Sequence, residues 1–245
     1  MRLDITTLMS FYDSPLGQSA NRAILERINA LWGDLSGLDV LGIGYAPPFL
    51  EGLEGKPRRS VCLMPHSQGA HAWPDGERGS ATALSNEREL PFMDAIFDRI
   101  LVIHALEETA HAPDFLREIW RVSAPQARIL IITPNRSGVW SLSDSTPFGY
   151  GRPFSQRQLK RLMRDALIEP SAWTRSLYTP PIDWKIFTSS SEGWERAGEI
   201  FVANFGGVNL VEGTKRVQID PKTPEKARVV VPSGLRPAVS LNKDL

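Results

Sequence analysis

The chain has 245 residues, 42% of them hydrophobic, which is typical of a globular protein with one substantial core. Lys and Arg total 28, as do Asp and Glu, so the net charge is zero and no bulk electrostatic field favours nucleic acid. The single cysteine, Cys62, excludes an internal disulfide, and without a Cys-x-x-Cys pair we expect no metal site. No apolar run has the length of a signal peptide or a membrane span, so we expect a cytoplasmic protein.

The predicted elements alternate between helices and strands. Apolar spacing and capping residues predict helices over 15–31, over 113–122, after the capping box of Ser155 and Gln158, and over 192–204. Short apolar runs predict strands over 39–43, 60–64, 96–103, 128–133, 172–177 and 208–211. This alternation favours an α/β domain with a mainly parallel sheet. We expect the domain to cover 1–216, with an N-terminal helical cap over 1–38, and an irregular tail to cover 217–245.

Two long segments interrupt this alternation. Residues 66–79 carry Gly, Pro and two His where a crossover helix is expected, and residues 135–153 form a loop rich in Gly and Ser. Long loops inside compact domains are often functional. In an open parallel sheet both loops would follow the carboxyl ends of strands, where ligands bind.

The stretch 89–122 contains three patterns in a fixed order. Leu-Pro-Phe-x-Asp-x-x-Phe-Asp occupies 90–98, His-x-Leu-Glu occupies 104–107, and Leu-Arg-Glu-x-x-Arg-Val occupies 116–122. Together they resemble the centre of a class I S-adenosylmethionine-dependent methyltransferase of the type 11 methyltransferase domain family. The resemblance spans about 39–216. It implies a Rossmann-like fold, with a mainly parallel seven-stranded sheet, an antiparallel last hairpin strand and helices on both faces.

The implied cofactor of this family is S-adenosyl-L-methionine, but several motif positions depart from the family pattern. Gly44 matches the first motif glycine, while Gly42 stands in place of the motif acid. Met64 stands where the family has an acid that binds the ribose hydroxyls. Asn86 stands where an Asp commonly meets the adenine amino group, and its amide oxygen can accept the same hydrogen bond.

The resemblance also implies positions for the site residues. Gly44 and Tyr45 would lie at the methionine and ribose end, Asn86 and Glu87 near the adenine, and His104 along the methyl channel. His104 is therefore the candidate for a catalytic side chain. We further expect Gly44→Val to abolish binding by filling the space beside the cofactor.

The segment 66–73 follows the strand that lacks the ribose acid. We expect it to fold over the cofactor cleft and to replace the contact of that acid by a neutral hydrogen bond. The predicted hydrogen-bonding residue is Gln68 or His66.

Aromatic side chains in the loop 135–150 indicate a binding site. Trp140, Phe148 and Tyr150 offer apolar area that contact with a ligand would bury. We expect the methyl acceptor, which the sequence does not identify, to enter past this loop, or a protein partner to bind through the loop or the tail. Because the loop is expected to lie outside the core, Trp140→Ala should leave the melting temperature within a few degrees.

Several of these residues also have a structural interpretation. Tyr45 can pack under the edge of the sheet, and His104 can be a core histidine. Glu107 and Glu108 are expected at a helix start and on a solvated face. For the whole chain, two hypotheses stay open: a methyltransferase with an unidentified acceptor, or a catalytically inactive methyltransferase-like binding or assembly factor.

Overall fold

The computed structural model describes residues 3–74, 80–181 and 206–216. Within them seven strands form one sheet: β1 (Asp39–Gly44), β2 (Arg59–Pro65), β3 (Thr82–Ser85), β4 (Phe97–Ile103), β5 (Ser123–Pro134), β6 (Ile168–Ser176) and β7 (Val208–Lys215). Their order is β3-β2-β1-β4-β5-β7-β6. The pairs among β1 to β5 are parallel, and β7 is antiparallel to both β5 and β6. This confirms the predicted mainly parallel sheet with an antiparallel last strand.

Helices cover both faces of the sheet, as predicted. They are α1 (Ile5–Asp13), α2 (Pro15–Trp32), α3 (Pro47–Leu50), α4 (Ala112–Val122) and α5 (Gln156–Asp165). Since side chains alternate across a strand, Val40 packs with α1, α2 and α3, while Leu41 and Ile43 pack with α4 and α5. None of the helices in the described ranges is both long and apolar enough to cross a membrane.

The predicted helix signals are confirmed at α2 and α5. Ser14 caps α2 by accepting a hydrogen bond from the backbone of Gly17, and Pro15 occupies its first turn. Ser155 and Gln158 form the predicted reciprocal capping box at the start of α5. Helix α5 ends earlier than its apolar spacing indicates, because Leu167 takes a left-handed φ of 59° and leads into β6.

Three elements, α1, α3 and β3, do not appear among the individually predicted segments. Helix α1 has only 9 residues, and β3 has 4, including Leu84, which is 55% exposed. Strand β6 begins four residues before the predicted 172, and β5 begins directly after α4. The helix predicted over 192–204 and the tail over 217–245 lie outside the described residues, and the domain limits stay predictions.

Candidate active site

The turn after β1 requires glycine at position 44. Gly44 has a φ of 90°, a backbone conformation that side chains rarely adopt, and a Cβ there would overlap the carbonyl oxygen of Ile103. The backbone N–H of Tyr45 donates to the same oxygen at 3.2 Å. Gly44 therefore lets the turn pack directly against the end of β4, which also means that Val at this position would disturb the fold itself.

Gly42 is required by the close approach of α3 to β1. A Cβ at position 42 would lie 2.5 Å from the Cβ of Ala46 and 2.9 Å from a methyl group of Leu50. A carboxylate side chain therefore has no space at the position where the family carries an acid. The missing acid at 42 follows from tight packing between strand and helix.

Tyr12 of α1 lies between Tyr45 and His104. Its ring stacks on the Tyr45 ring at a centroid distance of 5.5 Å, and its hydroxyl lies 2.7 Å from Nε2 of His104. Phe49 contacts the same ring edge-on at 5.5 Å, and Phe148 lies 4.9 Å from the His104 ring. Tyr45, implied at the methionine end, and His104, implied at the methyl end, thus both contact a side chain from the first helix.

His104 follows β4 and is completely buried. Burial lowers the pKa of His104 to about 3, so the imidazole is neutral near pH 7. Its Nδ1 lies 3.7 Å from a carboxylate oxygen of Glu107, which favours the tautomer protonated on Nδ1, with Tyr12 donating to Nε2. The prediction of a helix start at Glu107 is wrong, because α4 begins later, at Ala112. Glu107 is instead a buried carboxylate, only 3% exposed.

The segment after β2 approaches the same place. Gln68 is buried, and its side-chain N–H donates to the backbone carbonyl oxygen of His104 at 2.9 Å. The backbone carbonyl of Gln68 accepts from the backbone N–H of Ile5 at 2.8 Å. The side-chain oxygen of Gln68 is buried and has no hydrogen-bond partner among the described residues. This oxygen is a neutral acceptor next to the strand that lacks the ribose acid. Met64 itself packs in the core.

An open cleft lies beside this segment, beyond the carboxyl ends of β2, β3 and β4. Its volume is about 310 Å³, within the usual range for a small ligand. The cleft is lined by His66, Ser67, Asn86, Glu87, Arg88, Glu108, Thr109, Ala110 and His111. The amide oxygen of Asn86 accepts from the backbone N–H of Arg88 at 3.0 Å, which holds the side chain in place and leaves a second lone pair.

The predicted site residues therefore fall into three places. His66, Asn86 and Glu87 line the open cleft, whereas Gly44, Tyr45 and His104 lie at the aromatic cluster around Tyr12. Gly42 and Met64 belong to the packed interior. Gln68 connects the cleft to the cluster, since it follows Ser67 and bonds to His104.

The prediction that Trp140 and Phe148 lie outside the core is wrong. They are only 2% and 1% exposed, and the indole N–H of Trp140 donates to the carbonyl of Thr179 at 2.7 Å. The two rings pack edge-on at 5.7 Å, and Gly207 lies close against the indole. Their large apolar areas are buried against other residues of the domain and are not accessible to a ligand. Tyr150, at 40% exposed, is the member of this set that reaches the surface.

Sequence reasoning missed Tyr12 as a site residue. It stands in a short helix, and no motif surrounds it. The available signal was the aromatic pair Phe11 and Tyr12, two residues before the capping residue Ser14.

A family model described as a methyltransferase domain, of type 11, matches residues 38–131. A crystal structure of an S-adenosylmethionine-dependent methyltransferase from Thermotoga maritima, described as a possible histamine N-methyltransferase, has a TM-score of 0.59 at 17% identity. The alignment covers 82% of this chain and 91% of that chain. A chain from the complex between the Haloferax volcanii Trm112 methyltransferase activator and the putative methyltransferase has a TM-score of 0.60 at 19% identity, covering 86% and 98%.

A different activity occurs on the same fold. The [4+2]-cyclase SpnF has a TM-score of 0.54 at 16% identity, covering 82% of this chain and 83% of that chain. No curated protein matches the sequence significantly. At these identities the structural likeness establishes the fold, whereas the family match rests on the sequence of 38–131. Residues 38–131 therefore match a methyltransferase domain of type 11, and the described residues have a class I methyltransferase fold.

Proposed function

We propose that this protein is a methyltransferase that uses S-adenosylmethionine as its methyl donor and acts on an acceptor still to be identified. The observation that carries the proposal is the open cleft beyond β2, β3 and β4. It lies at the carboxyl edge of a parallel sheet, where ligands bind in such folds, and all of its lining residues belong to the segment that matches the family.

The residues of the cleft and its surroundings suit the parts of this cofactor. The amide oxygen of Asn86 is an acceptor for the adenine amino group. The unpartnered buried oxygen of Gln68 is an acceptor for a ribose hydroxyl, in place of the family's acid. Gly44 and Tyr45 would hold the methionine end, and the glutamine contact would carry less energy than a charge-assisted hydrogen bond.

When bound, S-adenosylmethionine supplies an electrophilic methyl group on a sulfonium sulfur. The task of the chain is then mainly to align the acceptor with that group at about 3–3.5 Å. His104 is neutral at the methyl end, so it adds no positive charge that would repel a sulfonium. Its Nδ1–H and the Glu107 carboxylate are the polar groups at this point that can orient an acceptor.

The exposed part of the loop 135–150 is the candidate contact surface for the acceptor. Val139, Leu142 and Tyr150 are 44%, 81% and 40% exposed, while Trp140 and Phe148 support the loop from inside. We propose that an acceptor or a protein partner contacts this exposed set. A role of the tail in binding and a cytoplasmic location stay predictions.

The second candidate function is a methyltransferase-like binding or assembly factor without turnover. The observation that favours it is the loss of both motif acids, since Gly42 has no space for a side chain and Met64 is in the core. It differs from the first candidate in one measurable property, the transfer of a methyl group.

Isothermal titration calorimetry on the full chain with S-adenosylhomocysteine tests the proposal. We expect saturable heat, and several-fold weaker binding for Asn86→Ala, because one hydrogen bond of about 0.5–1.5 kcal/mol is lost. Ser145→Ala, on the exposed loop, is the matched control and should bind like wild type. Absence of heat at millimolar ligand would contradict cofactor binding, whereas binding without methyl transfer to any tested acceptor class would favour the second candidate.

A further inference from the structure

Helix α1 reaches the candidate site from outside the segment that matches the family. It spans Ile5–Asp13, whereas the match begins at residue 38. Its outer face carries exposed Thr6, Thr7 and Ser10, and its inner face carries buried Leu8 and Tyr12. The helix is therefore held on the domain by one side only.

Two residues of the helix contact the candidate site. The Tyr12 hydroxyl meets Nε2 of His104 at 2.7 Å, and its ring stacks on Tyr45. At the other end of the helix, the N–H of Ile5 donates to the carbonyl of Gln68 at 2.8 Å. The ring of Tyr12 thus fills the space between Tyr45 and His104.

The helix has the properties of an element that can open. A helix of 9 residues is not stable without packing, so the contacts just described hold it. Ser14, with an extended φ of −74° and ψ of 156°, separates it from α2. The Ser14 hydroxyl accepts from the Gly17 N–H, which caps α2, and donates to the Phe11 carbonyl at the end of α1. Both contacts lie next to Ser14, so they can persist when the rest of α1 moves.

We propose that α1 is a lid over the methionine end of the site, closed by the contact of Tyr12 with His104, and that a nucleoside–amino-acid ligand is admitted fully only when α1 moves away. This inference rests on the proposed function. Opening removes the Tyr12 ring from between Tyr45 and His104, while the cleft at Asn86 stays accessible in both states. Because only the open state binds the whole ligand, the apparent affinity is the affinity of the open state multiplied by the fraction of molecules that are open.

A reversible disulfide tests the lid directly. A Cβ at position 69 would lie 3.7 Å from the Cβ of Ile5, within the 3.5–4.5 Å that disulfides span. The double variant Ile5→Cys/Gly69→Cys would lock α1 to the segment after β2 when oxidised. The native Cys62 is buried and does not compete. Gly69 has a φ of 87°, so the strain of a side chain there is present in both redox states, and the reduced form is the matched control.

Calorimetry with S-adenosylhomocysteine on the full chain is the readout. We expect the oxidised form to bind at least tenfold more weakly than the reduced form of the same protein. Equal affinity of the two forms, with wild type binding, would overturn the lid and leave the proposed function intact. If wild type itself does not bind, the proposed function fails and the lid with it.

A second variant keeps the test independent of disulfide formation. Tyr12→Phe keeps the ring packing but removes the hydrogen bond to His104, which weakens the closed state. We expect severalfold tighter binding of S-adenosylhomocysteine and faster amide exchange in α1. Tyr178→Phe, beside Gly206 and outside the candidate site, removes a tyrosine hydroxyl in the same way and should change neither property. Unchanged binding by Tyr12→Phe would show that the hydroxyl does not hold the closed state, and weaker binding would show that it serves the ligand. Either result would contradict the lid.

Discussion

The hydroxyl of Tyr12 lies 2.7 Å from Nε2 of His104, although 92 positions separate the two residues along the chain. This contact joins the first helix to the end of β4. It also places a side chain from outside the family match between Tyr45 and His104. The candidate site is therefore completed by a part of the chain that the matched domain does not include.

The buried imidazole of His104 predicts a specific dependence of stability on pH. Its folded pKa is about 3, below the ordinary value of 6.5, so between these values the unfolded chain binds a proton that the folded protein does not. The stability is fully present above about pH 6.5 and is lost progressively as the pH falls towards 3. Between about pH 7.5 and pH 5 we expect this group to lower the free energy of unfolding by about 2 kcal/mol.

Urea denaturation at these two pH values checks this expectation. His104→Asn is the informative variant, because Asn tolerates the left-handed φ of 52° at this position and does not titrate. The variant should lose most of the pH dependence, while His111→Asn, an exposed control, should retain it. A wild-type slope equal to that of His104→Asn would contradict a buried neutral imidazole.

Trp140→Ala should destabilise the domain by roughly 3–5 kcal/mol, because the indole is 2% exposed and contacts Phe148 and Gly207. Tyr150→Ala, in the same loop but 40% exposed, should change stability by about 0.5 kcal/mol or less. Thermal and chemical melts of the two variants provide the comparison. Similar stability of both would place Trp140 outside the core after all.

Gly44→Ala should lower the free energy of unfolding by roughly 2–5 kcal/mol, since it combines a left-handed φ with overlap against the Ile103 carbonyl. Gly37→Ala is the matched control. Its φ is 78°, but no described atom lies within 4 Å of the added Cβ, so only the backbone cost of about 1–2 kcal/mol applies. Equal losses in urea melts would show that the close approach of the turn to β4 is unimportant.

Asn86→Asp should tighten the binding of S-adenosylhomocysteine severalfold, because a carboxylate is a stronger acceptor for an amino group than an amide oxygen. The side chain keeps its hydrogen bond from the Arg88 N–H, so the loop geometry should persist. Competition calorimetry with adenosine distinguishes the adenine end from the rest of the ligand. Weaker binding by Asn86→Asp would contradict the placement of adenine at this residue.

The fold could be predicted where local signals were strong. Ser14 with Pro15, and Ser155 with Gln158, located the starts of α2 and α5, because capping residues act within one turn of the helix. Strand β3 was not predicted as a segment. It has four residues at the sheet edge, and the exposed Leu84 gives no apolar run to detect.

The site could be predicted only in part. The family resemblance indicated Gly44, Tyr45 and His104, and the structure places Tyr45 and His104 on either side of the Tyr12 ring. The aromatic pair Phe11 and Tyr12 did not indicate which residues Tyr12 contacts, since the contact depends on how α1 packs across the sheet. Trp140 was placed wrongly because a Gly- and Ser-rich loop indicates irregular backbone but not whether its aromatic side chains point inward.

A crystal structure of the full chain with S-adenosylhomocysteine tests the central claim most directly. The account predicts the adenine in the cleft beside Asn86, a ribose hydroxyl at the side-chain oxygen of Gln68, and the Tyr12 ring displaced from between Tyr45 and His104. A ligand bound elsewhere on the domain, with the cleft empty, would contradict the account. So would a ligand bound in the cleft that reaches Gly44 while the Tyr12 hydroxyl stays on His104, because the lid would then have no role in admission.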